Sequence, residues 1–159
     1  MEITIEVPDK VGQELLEKYA KKDFKPWRAE ERQSFWFVNK HGHPEYDIKE
    51  NNNDDYYRYL TGNYYETRKK AEQSILIAKA KGRLNFRMLE LNNGWTPDWE
   101  DDKNGKFFPC YDYKNKKWDT NTYRQRQESI NYHFPSQKLV CQFMEEMKAD
   151  LELVFNINQ

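Results

Sequence analysis

Two stretches of the chain show the hydrophobic and polar pattern of a β-hairpin. Residues 35–38 and 45–48 read as strands on either side of "KHGHP", where Gly42 is expected to supply a positive φ. Residues 106–113 and 118–126 flank "KNKK" in the same way and predict a second hairpin. Each hairpin is followed by a further short aromatic stretch, and "INYHF" in particular predicts a third strand beside the second hairpin.

Helical periodicity begins directly after each of these aromatic stretches. Thr67 is a good N-cap for a long helix that ends at "NNG", where Asn92 to Gly94 and then Pro97 prevent continuation. Ser136 is the N-cap of a C-terminal helix with an apolar stripe. The polar run "NNNDD" between the first hairpin and the long helix is interpreted as a loop.

The two regions match each other without a gap over a short distance. Both contain an aromatic strand residue, then a hydroxyl N-cap, then an apolar helix position, in the same order. This order predicts one structural unit used twice along the chain. The aligned pairs are Tyr65 with Phe134, Thr67 with Ser136, Ala71 with Val140, and Gln73 with Gln142.

These patterns predict an α+β fold. We expect an antiparallel sheet formed by two β-hairpin/strand–helix modules, with the helices packed on one face of the sheet. Residues 1–33 form an N-terminal extension with a strand and a helix, residues 34–94 the first module, and residues 95–159 the second module. At 159 residues the whole chain is expected to be one compact domain.

Composition changes the picture in one respect, because the chain is very polar yet rich in aromatic residues. Charged residues make up 33% and aromatic residues 16%, so the core is expected to be mostly aromatic. The formal net charge is only −1, whereas proteins that bind nucleic acid through its phosphates usually carry a basic excess. Nucleic acid is therefore not expected as a general ligand.

The chain opens with the charged stretch "MEITIEVPDK", and no apolar run approaches the roughly 20 residues that a membrane span needs. Cys110 and Cys141 lie in patterned segments and do not form a cysteine framework. We expect a cytoplasmic protein with reduced thiols and no membrane contact.

No metal or cofactor site is predicted, because both candidate metal motifs are incomplete. If Gly105 is the sixth position of a calcium loop that begins at Glu100, the twelfth position is Tyr111 instead of the required glutamate. The stretch "DDKNGK" is then a turn. His41 and His43 flank the hairpin glycine, but two ligands do not complete a tetrahedral zinc site.

No catalytic motif is apparent in the sequence. The chain has no G-x-S-x-G, no H-E-x-x-H and no Walker glycine loop. Cys110 lies in an aromatic strand and is interpreted as a small core residue instead of a reactive thiolate. The protein is therefore not expected to be an enzyme.

The second hairpin carries the predicted partner-binding residues. Tyrosine and arginine are enriched at the energetic centres of protein interfaces, and they can also stack on a base or hold its phosphate. The alternative is a sheet whose outer face simply carries half-exposed tyrosines. The predicted contact residues are Tyr111, Tyr113, Tyr123, Arg124 and Arg126.

Two further aromatic groups have separate predictions. Trp95 and Trp99 lie on either side of Pro97 and are expected to be structural, holding the incoming linker over the second sheet. The first hairpin, around Trp36 and Tyr46, is the next candidate contact surface if the second hairpin does not bind.

Residues 34–155 resemble a group of small proteins encoded by phages and prophages. Three motifs carry the resemblance: "GNYYET" at 62–67, the W-x-P-D-W segment at 95–99, and "YHFPS" at 132–136, where His133 is inserted before Phe134. The resemblance supplies no catalytic residues, so it implies that the protein is encoded by a phage or prophage but does not indicate any reaction.

This resemblance implies a non-catalytic phage or prophage accessory protein that binds a component of the bacterial host. We expect a host protein as the partner, and an inhibitor of a bacterial defence system, similar to an anti-CRISPR protein, as the function. Three alternatives stay open: a regulatory or structural accessory protein of the phage, a protein that binds or sequesters a nucleotide, and a small enzyme that uses the aromatic sheet.

Overall fold

A computed structural model describes residues 26–101, 103–123 and 132–157, so most of the N-terminal extension lies outside it. The first hairpin consists of β1 (Ser34–Val38) and β2 (Pro44–Ile48), which pair antiparallel with Trp36 opposite Tyr46. Gly42 lies in the turn with φ +77°, as predicted.

Two helices follow the first hairpin. Helix α1 (Asn53–Leu60) replaces the predicted polar loop, because the side chain of Asn52 accepts a hydrogen bond from the Asp55 amide and caps the helix. Helix α2 (Arg68–Asn92) has 25 residues and begins after Thr67, whose hydroxyl accepts a hydrogen bond from the Lys70 amide. Asn93 then takes a left-handed conformation and ends α2.

The second hairpin consists of β3 (Lys106–Asp112) and β4 (Lys117–Tyr123). The carboxylate of Asp112 stabilises the turn between them, because its Oδ1 accepts a hydrogen bond of 2.9 Å from the Lys114 amide and its Oδ2 one of 2.6 Å from the Asn115 side chain. The turn covers residues 113–116, one residue earlier than "KNKK" predicts, so Tyr113 lies in the turn and Lys117 begins β4.

The C-terminal helical region consists of two helices instead of the single predicted one. Helix α3 (Gln137–Glu146) begins after Ser136, whose hydroxyl accepts a hydrogen bond from the Leu139 amide. Met147 leaves the helical conformation, at φ −110° and ψ 17°, and α4 (Lys148–Val154) starts after it.

The predicted α+β class is confirmed. The described part of the chain contains four helices and two antiparallel two-stranded sheets. The described strands thus form two small sheets and not the one continuous sheet that the sequence predicts, since neither hairpin pairs with the other. None of the helices among the described residues is long and apolar enough to cross a membrane.

The predicted third strands are each reduced to one backbone bridge. Tyr65 exchanges two hydrogen bonds of 2.7 Å with Trp36, and Phe134 exchanges bonds of 3.0 and 2.8 Å with Phe107. Two residues after each bridge comes the N-cap of a helix, and four residues further a fully buried side chain, Ala71 in α2 and Val140 in α3. The repeated unit predicted from the sequence is therefore present in the fold.

Each module has its own core. The first core contains Ala29, Phe35 and Phe37, with Trp27 and Tyr64 packed against them. The second core is larger and takes residues from α2, α3 and α4 as well as from the strand bridge. Its buried members are Leu84, Phe134, Val140, Phe143 and Leu151.

Helix α2 contacts the first hairpin and supplies Leu84 to the second core. It contacts both strands of the first hairpin, and it contacts α3 and α4 as well. Two arginines on α2 form ion pairs across this second contact, Arg83 with Asp150 and Arg87 with Glu146 at 2.6 Å. The bond from Arg87 holds the pKa of Glu146 below its ordinary value. The long helix therefore connects the two modules.

Candidate interaction site on the second hairpin

Four aromatic side chains form a row across the second hairpin and the end of the chain. The rings of Tyr113 and Tyr111 are 5.0 Å apart, those of Tyr111 and Trp118 are 5.2 Å apart, and those of Trp118 and Phe155 are 5.6 Å apart. All three contacts are edge-on, the arrangement that aromatic quadrupoles favour. We call these four residues the aromatic row. Tyr113 at one end is 68% exposed and Phe155 at the other is 40% exposed.

Strand register explains the centre of the row. Tyr111 lies directly opposite Trp118, and alternation places both on the same face of the hairpin as Phe107. Phe107 and Trp118 pack against the second core, so this face of the hairpin is fixed at one end by buried apolar contacts. Tyr113 follows β3 in the turn that Asp112 stabilises.

A groove of about 500 Å³ runs beside the aromatic row, between the hairpin and the helices α3 and α4. Tyr111 and Trp118 form part of its wall, and charged side chains form its border. The indole Nε1 of Trp118 is buried and donates no hydrogen bond to any described residue, although a buried indole N–H usually has an acceptor. The other lining residues are Lys116, Lys117, Met144, Glu145, Lys148 and Glu152.

The structure brings together only part of the predicted contact set. Tyr111 and Tyr113 are neighbours in the aromatic row. Tyr123 is the last residue of β4 and pairs with the first residue of β3, at the end of the hairpin away from the turn. Arg124 and Arg126 lie outside the described residues.

Sequence reasoning missed the lysines that border the groove. Lys116 and Lys117 belong to "KNKK", which predicts a turn but does not show which face of the hairpin the side chains follow. Lys148 lines the groove and Phe155 contacts Trp118, and both residues follow the unpredicted break at Met147. No sequence signal for that break is strong enough to have predicted it.

The first hairpin offers a second aromatic surface. Trp36 and Tyr46 are opposite each other, with ring centroids 5.6 Å apart, and Tyr46 is 67% exposed. The guanidinium carbon of Arg68 lies 5.9 Å from the Trp36 ring. This pair is smaller than the aromatic row and is not among the residues that line the 500 Å³ groove.

Cys110 has the environment of an inert thiol. Its Sγ donates a hydrogen bond of 3.4 Å to the backbone oxygen of Asp119. Burial, followed by the nearby carboxylates of Asp119 and Asp112, raises the pKa of the thiol. A reactive cysteine needs the opposite shift, toward the thiolate at neutral pH.

The acidic stretch after the W-x-P-D-W segment forms a turn. The carboxylate of Asp101 accepts hydrogen bonds from the amide of Lys103 at 2.7 Å and from both the amide and the side chain of Asn104. These bonds, that of Lys103 first, hold the pKa of Asp101 below its ordinary value. Among the described residues no group of three or more histidine, cysteine or carboxylate side chains is arranged to hold a metal ion.

The chain matches no protein-family model, no curated protein and no solved structure. The proposals below therefore depend on the geometry of this molecule and on the sequence motifs.

Proposed function

We propose that the protein is a non-catalytic binding protein that contacts a protein partner through the aromatic row of the second hairpin. The observation that carries this proposal is the continuity of the row, which begins at an exposed Tyr113 and ends at a partly exposed Phe155. Tyrosine and tryptophan are enriched at the centres of protein interfaces, where they bury large areas with few rotatable bonds.

The groove beside the row supports the same proposal. Charged side chains of both signs surround the tyrosine and tryptophan centre, which is the polar rim that interfaces commonly have. They are Lys116, Lys117, Lys148, Glu145 and Glu152, with Lys148 paired to Glu152 at 3.9 Å.

The kind of partner is proposed from the sequence resemblance. Small non-catalytic phage proteins often act by binding a component of the host cell, so we propose a bacterial host protein in the cytoplasm, with a defence effector as the first candidate. The protein would then be an inhibitor of an anti-CRISPR kind. The environment of Cys110 favours binding over nucleophilic catalysis.

A nucleotide-binding function is the second candidate, and one observation favours it. The same groove places three lysines beside Tyr111 and Trp118, and lysine with an aromatic ring can hold the phosphate and base of a nucleotide. The volume of about 500 Å³ is within the range of small-ligand sites, about 300–1,000 Å³.

Capture from a bacterial host lysate tests both candidates. We expect the immobilised chain to retain a protein in stoichiometric amount, and Tyr113→Ala to weaken this binding by about 30-fold or more, the effect of losing an interface hot spot. Tyr46→Ala is the matched control, since Tyr46 is an equally exposed tyrosine on the other hairpin. Both variants should keep the melting temperature of the parent chain.

Three outcomes would overturn the protein-binding proposal. A small nucleotide released on denaturation would favour the second candidate. Binding to DNA that disappears at modest salt would indicate a nucleic-acid ligand. Binding lost in Tyr46→Ala and kept in Tyr113→Ala would move the contact surface to the first hairpin.

A further inference from the structure

The repeat allows a comparison, position by position, around the two backbone bridges. The bridge pairs Trp36 with Tyr65 in the first module and Phe107 with Phe134 in the second. The residues that directly precede these bridge partners therefore occupy equivalent positions. They are Phe35 and Tyr64 in the first module, and Lys106 and His133 in the second.

In the first module these equivalent positions form an aromatic group. Phe35 is fully buried, and its ring stacks on Tyr64 at 4.0 Å between centroids. The ring of Trp27 lies 5.8 Å from Tyr64 on the preceding segment. This group is the centre of the first core.

The second module keeps the arrangement but changes its chemistry. Trp99 lies 5.0 Å from His133 and Trp27 lies 5.8 Å from Tyr64, so each module has a tryptophan from the preceding segment at this position, although the ring angles differ. Lys106 is only 2% exposed and His133 only 4%, so both polar side chains occupy core positions. Lys106 therefore occupies the position that the buried Phe35 has in the first module.

Burial of Lys106 is poorly compensated within the described chain. Its ammonium group donates a hydrogen bond to the backbone oxygen of Asp101 and lies 5.8 Å from the centre of the Trp99 ring. An ammonium has three N–H donors, and no described carboxylate lies within 4.0 Å of this one. Lys106 interacts electrostatically with the Asp101 carboxylate, whose oxygens are also held by the turn amides. A buried ammonium without a close ion pair is costly, and polar residues at core positions tend to occur at functional sites.

Lys106 also lines a cavity of about 380 Å³ beneath the W-x-P-D-W segment. Trp95 forms an apolar part of its wall. Asp98 is exposed at the cavity, and Oδ1 of its carboxylate accepts a bond of 2.9 Å from the Glu100 amide. The cavity thus has a buried positive group and an exposed negative group. The carboxylate of Asp101, which also lines it, is already engaged by the turn amides.

Gly105 allows the chain to pass close to β4 at this cavity. A Cβ atom at this position would lie 2.6 Å from the hydroxyl of Thr122 and 3.3 Å from the ring of Phe107. A side chain here would push the loop away from the hairpin. The sequence thus keeps the loop and Lys106 close together.

We propose that this cavity binds a small molecule that carries both a carboxylate and an ammonium group, of the size of a free amino acid or a dipeptide. Its carboxylate pairs with Lys106, its ammonium pairs with Asp98, and its apolar part packs against Trp95. A simple anion fits less well, because Asp98 and Asp101 place two negative groups at the same cavity. The inference is independent of the partner proposed for the aromatic row.

Thermal melting and calorimetry with the standard amino acids and a set of dipeptides test this site. We expect at least one of them to raise the melting temperature with increasing concentration. Lys106→Met should weaken its binding by about 10- to 100-fold, the loss of a charge-assisted hydrogen bond. The variant Lys79→Met changes an exposed lysine of α2 that does not line this cavity, and it should bind normally.

The ligand itself provides a test that does not depend on a variant. The amide of the bound compound, which lacks the carboxylate, and its N-acetyl form, which lacks the ammonium, should each bind at least about tenfold more weakly. The proposal is overturned if no amino acid or dipeptide shifts the melting temperature. It is also overturned if Lys106→Met binds the ligand as tightly as the parent chain does, or if the amide binds as tightly as the unmodified ligand. Binding of inorganic phosphate alone would also contradict it.

Discussion

The first hairpin packs on a small core that Ala29, Phe35 and Phe37 form, whereas the second hairpin packs on a core completed by three helices. Both use the same order of strand bridge, N-cap and buried helix residue. The difference arises in α2, which starts on the first hairpin and supplies Leu84 to the second core. Packing in the second core therefore also stabilises α2, the helix that contacts the first hairpin.

The two hairpins also differ in the aromatic surface that they leave exposed. The first presents one cross-strand pair, Trp36 with Tyr46. The second presents the four-membered aromatic row, in which Phe155, directly after α4, contacts Trp118. The two copies of the repeated unit therefore differ in the extent of their aromatic surface.

The largest expected effect distinguishes the two cores. Phe143→Ala should lower the free energy of unfolding by about 3–5 kcal/mol and destabilise both modules, since α2 loses its support. Phe35→Ala should cost a similar amount but open mainly the first module, because the second core does not contain Phe35. Hydrogen exchange at an intermediate denaturant concentration would measure how much amide protection each module loses in each variant. Equal loss of protection in both modules of Phe35→Ala would show that the chain is one cooperative unit.

A smaller effect compares the two N-caps. The hydroxyl of Thr67 accepts the Lys70 amide at 3.3 Å, and that of Ser136 accepts the Leu139 amide at 3.5 Å. Thr67→Ala and Ser136→Ala should each cost about 1 kcal/mol, which denaturant titration can resolve. Thr67→Ser keeps a hydroxyl and should cost much less. A loss below about 0.3 kcal/mol in both alanine variants would contradict equivalent capping.

Several features of the fold could be predicted from local signals. The hairpin turns, the caps at Thr67 and Ser136, and the end of the long helix are each determined by a few neighbouring residues. Helix α1 had such a signal too, since Asn52 precedes Asp54 and Asp55 in the first turn, but the polar run resembled a loop.

Other features depend on contacts between distant residues. Met147, where the helix breaks, packs against the second core, and Lys106 is buried beside the W-x-P-D-W segment. Local alternation predicts that Tyr111 and Tyr113 are neighbours, whereas the lysines of the groove depend on the packing of α3 and α4 beside the hairpin. Strand alternation shows on which face of the sheet a side chain lies, but it does not show which other elements pack on that face.

Hydrogen exchange of the chain with and without its captured protein partner tests the central claim most directly. We predict that partner binding slows exchange in the segment from Tyr111 to Trp118 and in α4, and leaves the segment from Trp36 to Ile48 unchanged. Slower exchange in the first hairpin, with none in the second, would contradict the assignment of the aromatic row as the contact surface.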